Sequence, residues 1–180
     1  RESTEYWSRR IGKHGETLCF AIAFDLGRRY DLTAVAKEFP EGVVLCNPGL
    51  IAGIGHLEEI LLQTKEYWDR NQRIVRNGSL EILMRITCQR QISEAIVASQ
   101  IADTETVALL GFVASENEIE ASIERLYSAC KSIVTDNSLL DLTREKASKL
   151  RRFHRLPSSL PLDKLQTALQ ERSILLIFSK

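Results

Sequence analysis

The chain has 180 residues, 44% of them hydrophobic, which suits a single domain that buries most of its apolar surface. Its 24 basic and 24 acidic side chains cancel, and this argues against a protein that coats nucleic acid non-specifically, so any RNA contact has to be local. No segment reaches the ~20 apolar residues that a membrane span needs, and the first apolar run is too short for a secretory leader. We therefore expect a cytoplasmic protein without a membrane partner.

The first half of the chain predicts alternating strands and helices. In chain order the patterns predict a strand over 17–24, a short helix over 31–39, a strand over 43–46, a turn over 47–49, a helix over 53–68 and a polar connection over 69–78. The run 17–24 is apolar at every position except its first, which is typical of a strand that is buried on both faces.

The middle of the chain changes its hydrophobic period. Five apolar residues alternate with their neighbours over 80–89, namely Leu80, Ile82, Met84, Ile86 and Cys88. This alternation predicts a strand with one buried face. Ile92, Ala95 and Ile96 then recur at helical spacing. Between the two patterns lies Gln89-Arg90-Gln91, so we predict a strand-turn-helix elbow with a polar tip.

The second half continues the same mixture of elements. The patterns predict a strand over 107–114, a helix opened by a capping box at 115–118, a loop or short strand over 136–142, a helix over 143–154, and helical spacing from 162. The apolar tail over 174–178 fits a helix or a last strand equally well. The predicted fold is a single α/β domain over 1–180, of the α+β type, with a mainly antiparallel sheet packed against several helices.

The cysteines and histidines do not form a recognisable site. The four cysteines are Cys19, Cys46, Cys88 and Cys130, and the three histidines are His14, His56 and His154. No cysteine belongs to a C-x-x-C pair or lies near a histidine at ligand spacing, so we expect reduced thiols. The three histidines are far apart in the sequence, which leaves no nucleophile-base pair to propose. We predict no metal, no cofactor, no small-molecule substrate and no catalytic residue.

The sequence E-I-L-M-R-I-T-C-Q-R-Q-I-S-E-A-I over 81–96 closely resembles the centre of the smallest subunit of archaeal KEOPS, a family that includes the human PRPK-binding protein. The similarity extends weakly over about 17–178. It implies a non-enzymatic subunit that docks on the KEOPS kinase subunit and captures the 3′ CCA end of tRNA. The complex installs threonylcarbamoyl-adenosine beside the anticodon. In one departure, Gln100 stands before Ile101 where relatives often have glycine.

Basic and polar residues before and within the elbow are the predicted RNA contacts. They are Lys65, Arg70, Arg73, Arg76, Arg85, Gln89, Arg90 and Gln91. Amides pair with base edges, whereas arginine binds phosphates or stacks on bases. The alternative is a polar turn that solvates the end of a sheet. Trp68, within the same stretch, fits core packing better than base stacking. The basic segment 144–155 ranks second, either as a solvated helix face or beside the acceptor stem.

The resemblance implies that helices meet the kinase. The helix over 53–68 and the segment 162–178 carry more apolar residues than one core-facing stripe needs, and the predicted contacts are Ile60, Leu62, Leu169 and Leu176. The alternative is that all four are core residues. Two other functions stay open: a small α/β enzyme acting on a nucleotide or acyl substrate, and a purely structural kinase-binding subunit that does not bind RNA.

Overall fold

A computed structural model describes residues 4–178 as an antiparallel sheet with helices on both faces. The strands are β1 (Trp7–Ile11), β2 (Thr17–Tyr30), β3 (Val43–Cys46), β4 (Thr104–Val113) and β5 (Val134–Thr135). The helices are α1 (Thr33–Ala36), α2 (Ile54–Asp69), α3 (Gly78–Thr87), α4 (Ile92–Ala98), α5 (Glu116–Ala129), α6 (Arg144–Phe153) and α7 (Leu162–Leu175). Short 3-10 helices cover Pro48–Leu50, Asn137–Leu140 and Leu176–Phe178. The predicted mixed α/β class with an antiparallel sheet is therefore confirmed.

The sheet is open and has the strand order β1-β2-β4-β3, with β5 beside β2. All of these pairings are antiparallel, and Phe20 of β2 lies opposite Gly111 of β4. A side chain at Gly111 would overlap the carbonyl oxygen of Gly42, so only glycine lets the two backbones approach this closely. β2 and β4 hold the centre of the sheet, which explains why their sequences are almost continuously apolar.

The alternating side chains of β2 build two cores, one on each face of the sheet. Phe20, Ile22 and Phe24 pack with α5 on one face. Small residues such as Ala21 and Ala23 point to the other face, where the core is formed with α2 and α3. Since small side chains leave room above the strand, these two helices can pack close to the sheet.

The segment predicted as a central strand is the helix α3, so this prediction is wrong. Asn77 caps the helix, and its side-chain oxygen accepts a hydrogen bond from the backbone N–H of Leu80 at 3.1 Å. The residues between the alternating apolar positions are buried too, including Glu81, Arg85 and Thr87. A helix that is buried on nearly all sides has no polar face, so its sequence does not show the 3.6-residue hydrophobic period. The alternation of apolar residues therefore wrongly indicated a strand.

The other predicted elements differ from the structure mainly at their ends. The strand predicted over 17–24 continues to Tyr30, and the apolar tail that was left undecided is helical up to Phe178. In the predicted capping box, the Ser115 hydroxyl donates to the Glu118 carboxylate at 3.3 Å, but its side chain does not cap the helix backbone. In the described part of the chain, we find no helix with both the length and the apolar character needed to cross a bilayer.

Candidate nucleic-acid interface

A buried ion pair within α3 organises this region. The Arg85 Nε and Nη2 atoms donate to Glu81 Oε1 at 3.3 and 2.9 Å, and both side chains are 0% exposed. Arg85 Nη1 also points at the carbonyl oxygen of Ser173 in α7, at 3.4 Å. The predicted RNA contact at Arg85 is therefore wrong, because a helix turns this guanidinium into the core instead of toward solvent.

The second carboxylate oxygen of Glu81 holds the polar connection over 70–77 against α3. Glu81 Oε2 accepts hydrogen bonds from Trp68 Nε1 at 2.7 Å and from the backbone N–H of Ile74 at 3.2 Å. Trp68 packs edge to face on Phe112 of β4, with ring centroids 5.7 Å apart, as expected of a core residue. Glu81 thus ties the loop to α3 through the Ile74 N–H, and ties the last turn of α2 to α3 through the Trp68 side chain.

The polar tip is a turn between two helices. α3 ends at Cys88, whose φ of 53° is left-handed, and the Gln89 N–H donates to the Met84 carbonyl oxygen at 3.2 Å. Arg90 and Gln91 follow and are exposed, while Gln89 is half-buried. Although the first arm of the predicted elbow is a helix rather than a strand, its guanidinium and one of its two amides do reach the surface.

The turn and the loop over 70–77 border one groove, which we call the elbow groove. It has a volume of about 520 Å³. Its lining comprises Ile74, Val75, Met84, Arg90, Gln91, Ile92, Ser93 and Leu176. The structure therefore brings two of the predicted RNA-binding segments together, although they are separated by the whole of α3.

Two of the predicted cations in the basic stretch are neutralised within or just beyond α2. Lys65 Nζ lies 2.5 Å from a carboxylate oxygen of Asp69, and Arg70 Nη2 lies 2.5 Å from a carboxylate oxygen of Glu66. These are i,i+4 pairs at the helix surface, which add little stability and lower the local positive charge. Neither residue lines the elbow groove.

The other exposed arginines of the predicted set remain available for a ligand. Arg73 stacks over the ring of Trp68, with its guanidinium carbon 4.1 Å from the ring centroid. Within residues 4–178, no carboxylate forms an ion pair with Arg76 or Arg90. Arg76 directly follows Val75 of the groove wall, and Arg90 is itself part of the wall. Unpaired cations beside an open groove suit a phosphate ligand.

Three of the four predicted kinase contacts are core residues, so this prediction is wrong for them. Ile60 and Leu169 are 0% exposed, and Leu176 is 8% exposed. Leu62 is half-buried against the core around α2. The surplus apolar residues of α2 and α7 are explained by packing on more than one side, because α2 contacts both α3 and α7.

The predicted docking segment 162–178 does keep exposed apolar side chains, at Leu162, Leu175 and Phe178, and a second exposed apolar surface lies on α4. Ile92, Ile96 and Val97 are 38%, 44% and 79% exposed, and Ala95 is the residue of this helix that is buried. Ile96 borders a groove of about 320 Å³ between α1, β3, α3 and α4, which we call the apolar groove. Sequence reasoning missed this surface because the spacing of Ile92 and Ile96 is also the spacing of core residues.

Two buried histidines lie away from the elbow groove, in the region of α2 and α6. His56 Nδ1 accepts a hydrogen bond from the Ala52 backbone N–H at 3.1 Å. Burial lowers the pKa of His56 to about 3 and that of His154 to about 4. Among the described residues, His, Cys, Asp and Glu side chains do not gather in groups of three or more that could hold a metal ion.

Comparison with models of protein families gives no match for this chain, and comparison with curated proteins gives none either. The resemblance over 81–96 is therefore the support for a family assignment, and the interface described above has to be judged on its own chemistry.

Proposed function

We propose that this protein is a non-catalytic, cytoplasmic accessory subunit of a KEOPS tRNA threonylcarbamoyl-adenosine modification complex. It captures the 3′ CCA end of tRNA in the elbow groove and binds the KEOPS kinase subunit. It needs neither a cofactor nor a small-molecule substrate for this role. The resemblance over 81–96 supports the family, and the surface chemistry of the elbow groove supports the RNA contact.

The observation that carries the proposal is the placement of Arg90. Its side chain is exposed at the edge of the groove, and no carboxylate among residues 4–178 forms an ion pair with it. Gln91 lies next to it and offers an amide to a base edge, while the apolar walls at Ile74 and Val75 suit an unpaired base. A groove of this kind accepts the end of any tRNA, because every tRNA ends in the same single-stranded CCA.

The test compares intact tRNA with tRNA that lacks its CCA end. We expect Arg90→Glu to weaken binding of intact tRNA by about tenfold or more, because a phosphate contact becomes a repulsion. Binding of the truncated tRNA should change little. Arg125→Glu is the matched control, since Arg125 is exposed on α5, on the other face of the sheet. Equal binding of both RNAs by all three proteins would refute the proposed RNA contact.

For the kinase, we propose that the apolar groove beside Ile96 receives an element of the kinase subunit. Its lining includes Phe39, Val43, Leu83 and Ile101, which gives a mainly apolar surface with polar side chains such as Lys37 and Glu41 beside it. Ile96→Glu should abolish pull-down of the cognate KEOPS kinase subunit. Phe178→Glu alters a side chain that is 75% exposed at the other candidate surface, and it should leave the pull-down intact.

The outcomes of these experiments separate the competing functions. Loss of kinase binding in Phe178→Glu alone would show that the kinase docks at Phe178 and not at the apolar groove. Kinase binding by both Ile96→Glu and Phe178→Glu would refute apolar docking at either surface. Kinase binding without any tRNA binding would favour the purely structural subunit. Tight binding of a nucleotide or acyl compound by the isolated protein would favour the enzyme.

A further inference from the structure

The elbow groove and a second cleft border α4, a third cleft lies beyond the end of this helix, and successive clefts share residues where they meet. The elbow groove contains Ser93. A second cleft, of about 680 Å³, begins at Ser93 and Gln89 and extends to Gln100 and Phe153. A third cleft, of about 430 Å³, shares Gln100 and Phe153 with the second. The surface is therefore continuous from the elbow groove, along one flank of α4, to the last turns of α6.

The third cleft combines cations with an aromatic ring. Lys149, Arg152 and Phe153 of α6 form one wall, and Asn47 belongs to the opposite wall. Arg152 is exposed and has no ion-pair partner among the described residues. Lys149 is paired with Glu145 at 2.7 Å, but this pair is exposed and can exchange its partner in solution. The cleft thus presents one or two positive charges beside a ring.

The ring of Phe153 is held in place by its neighbours. It is half-buried and meets the imidazole of the buried His154 edge to face, with centroids 4.8 Å apart. The same residue lines both the second and the third cleft. A fixed ring between an apolar passage and two cations is the arrangement that binds unpaired bases by stacking and their phosphates by charge.

The second cleft is a passage rather than a phosphate site. Val97 is 79% exposed there, and Glu94 contributes a negative charge that repels phosphates. With a rise of about 1.5 Å per residue, α4 from Ile92 to Ala98 spans about 9 Å, and the passage continues past the end of the helix to Gln100. An RNA strand that follows this flank would place its phosphates near the cations at the two ends of the flank, and its bases between them.

We propose that Lys149, Arg152 and Phe153 form a second RNA contact, which binds the unpaired nucleotide preceding the CCA end and the adjoining phosphates of the acceptor stem. This inference rests on the proposed capture of the CCA end in the elbow groove. It gives the RNA strand a direction, with the 3′ end at Arg90 and the body of the tRNA toward α6. It also gives the basic segment of α6 a role that its charge alone does not establish.

The test uses two RNAs, a CCA oligonucleotide and intact tRNA. Arg152→Glu should weaken binding of intact tRNA by about tenfold and leave the CCA oligonucleotide unaffected, whereas Arg90→Glu should weaken binding of both. For intact tRNA, the slope of log K against the logarithm of the salt concentration should be shallower in Arg152→Glu, by the amount that corresponds to about one lost phosphate contact. Phe153→Leu keeps the apolar volume but removes the stacking face, and it should weaken binding of intact tRNA only.

The second RNA contact and the capture of the CCA end in the elbow groove are refuted by different results. If Arg152→Glu and Phe153→Leu bind intact tRNA like Arg125→Glu, while Arg90→Glu is impaired, the second contact is refuted and the elbow groove stands. If Arg90→Glu also binds both RNAs normally, the proposed function itself is refuted. Thermal unfolding of each variant, compared with the parent protein, identifies a loss of binding that is caused by misfolding. In that case, Arg152→Gln, which keeps a polar side chain of similar length, replaces the failed variant.

Discussion

Glu81 and Arg85 form a completely buried ion pair one turn apart on α3, with 2.9 Å between the Arg85 Nη2 and Glu81 Oε1 atoms. The pair lies beneath the loop that borders the elbow groove, and Glu81 also accepts the hydrogen bonds of Trp68 and Ile74. A buried, hydrogen-bonded polar cluster therefore lies within the apolar core under the candidate RNA surface, which favours one fixed geometry for the loop.

The first prediction concerns this pair. Arg85→Met leaves a buried carboxylate without its counter-charge and should lower the free energy of unfolding by about 3–5 kcal/mol. Adding Glu81→Gln removes the charge but keeps an oxygen that can accept from Trp68 and Ile74. The double variant should therefore recover a large part of the loss. Urea unfolding of the three proteins measures this, and an equally unstable double variant would contradict the proposed charge effect.

The second prediction concerns Gln100, at the position where the KEOPS family often has glycine. Its φ is 58°, which is left-handed and strained for a residue with a side chain. Gln100→Gly should raise the free energy of unfolding by about 0.5–1 kcal/mol, because the strain is relieved. Gln100→Ala keeps the strain and serves as the control. A gain of equal size in the alanine variant would show that backbone strain is not the cause.

The third prediction concerns Gly78, the first residue of α3. A Cβ atom at this position would overlap the ring of Trp68. Gly78→Ala should lower the free energy of unfolding by about 1–3 kcal/mol and change the tryptophan fluorescence, because Trp68 has to move. In the control Gly55→Ala, the new Cβ meets the flexible Gln166 side chain at 3.4 Å, so the helix should be unaffected or more stable.

The fourth prediction concerns acid stability. The folded-state pKa of His56, about 3, lies below its ordinary value of 6.5, chiefly because burial disfavours the charged imidazole. Burial also lowers the pKa of His154 to about 4. The unfolded chain therefore binds protons first as the pH falls, and stability should decrease from about pH 6.5 toward pH 3–4.

Denaturant unfolding at a series of pH values measures this slope. His56→Gln removes one titrating group while keeping an acceptor for the Ala52 N–H, so its stability should fall less steeply with decreasing pH. Parallel slopes for the parent protein and His56→Gln would contradict the role assigned to burial.

Local pattern was sufficient for much of the fold. The strands at the centre of the sheet and the helix α2 were predicted because their periodicity survives in the folded protein, with β2 apolar on both faces and α2 amphipathic, although α2 packs on more than one side. The exposure of Arg90 and Gln91 was predictable for a similar reason. The backbone N–H and C=O groups of a short polar run between two apolar segments need contact with water, so the run lies at the surface however the flanking elements pack.

The helical state of α3 was not predictable from alternation, although two local signals pointed to it. Glu81 and Arg85 are spaced for an i,i+4 pair, and Asn77 is a suitable N-cap. The kinase-contact prediction failed for a different reason. Whether Ile60 or Leu169 is exposed depends on which helix covers it, and no periodicity contains that information.

The amino-acid order by itself determined the mixed α/β class, the polar turn at 89–91 and the family resemblance, because each depends on neighbouring residues. Tertiary structure alone decided which of the basic side chains are paired in the core and which are free at the surface. Arg85 is buried and pairs with the Glu81 carboxylate one turn away and with the Ser173 carbonyl oxygen far along the chain. Arg90 has no such partner among residues 4–178. The physical reason is that desolvation and pairing depend on distances in space, and those exist only once α3, α4 and α7 have packed together.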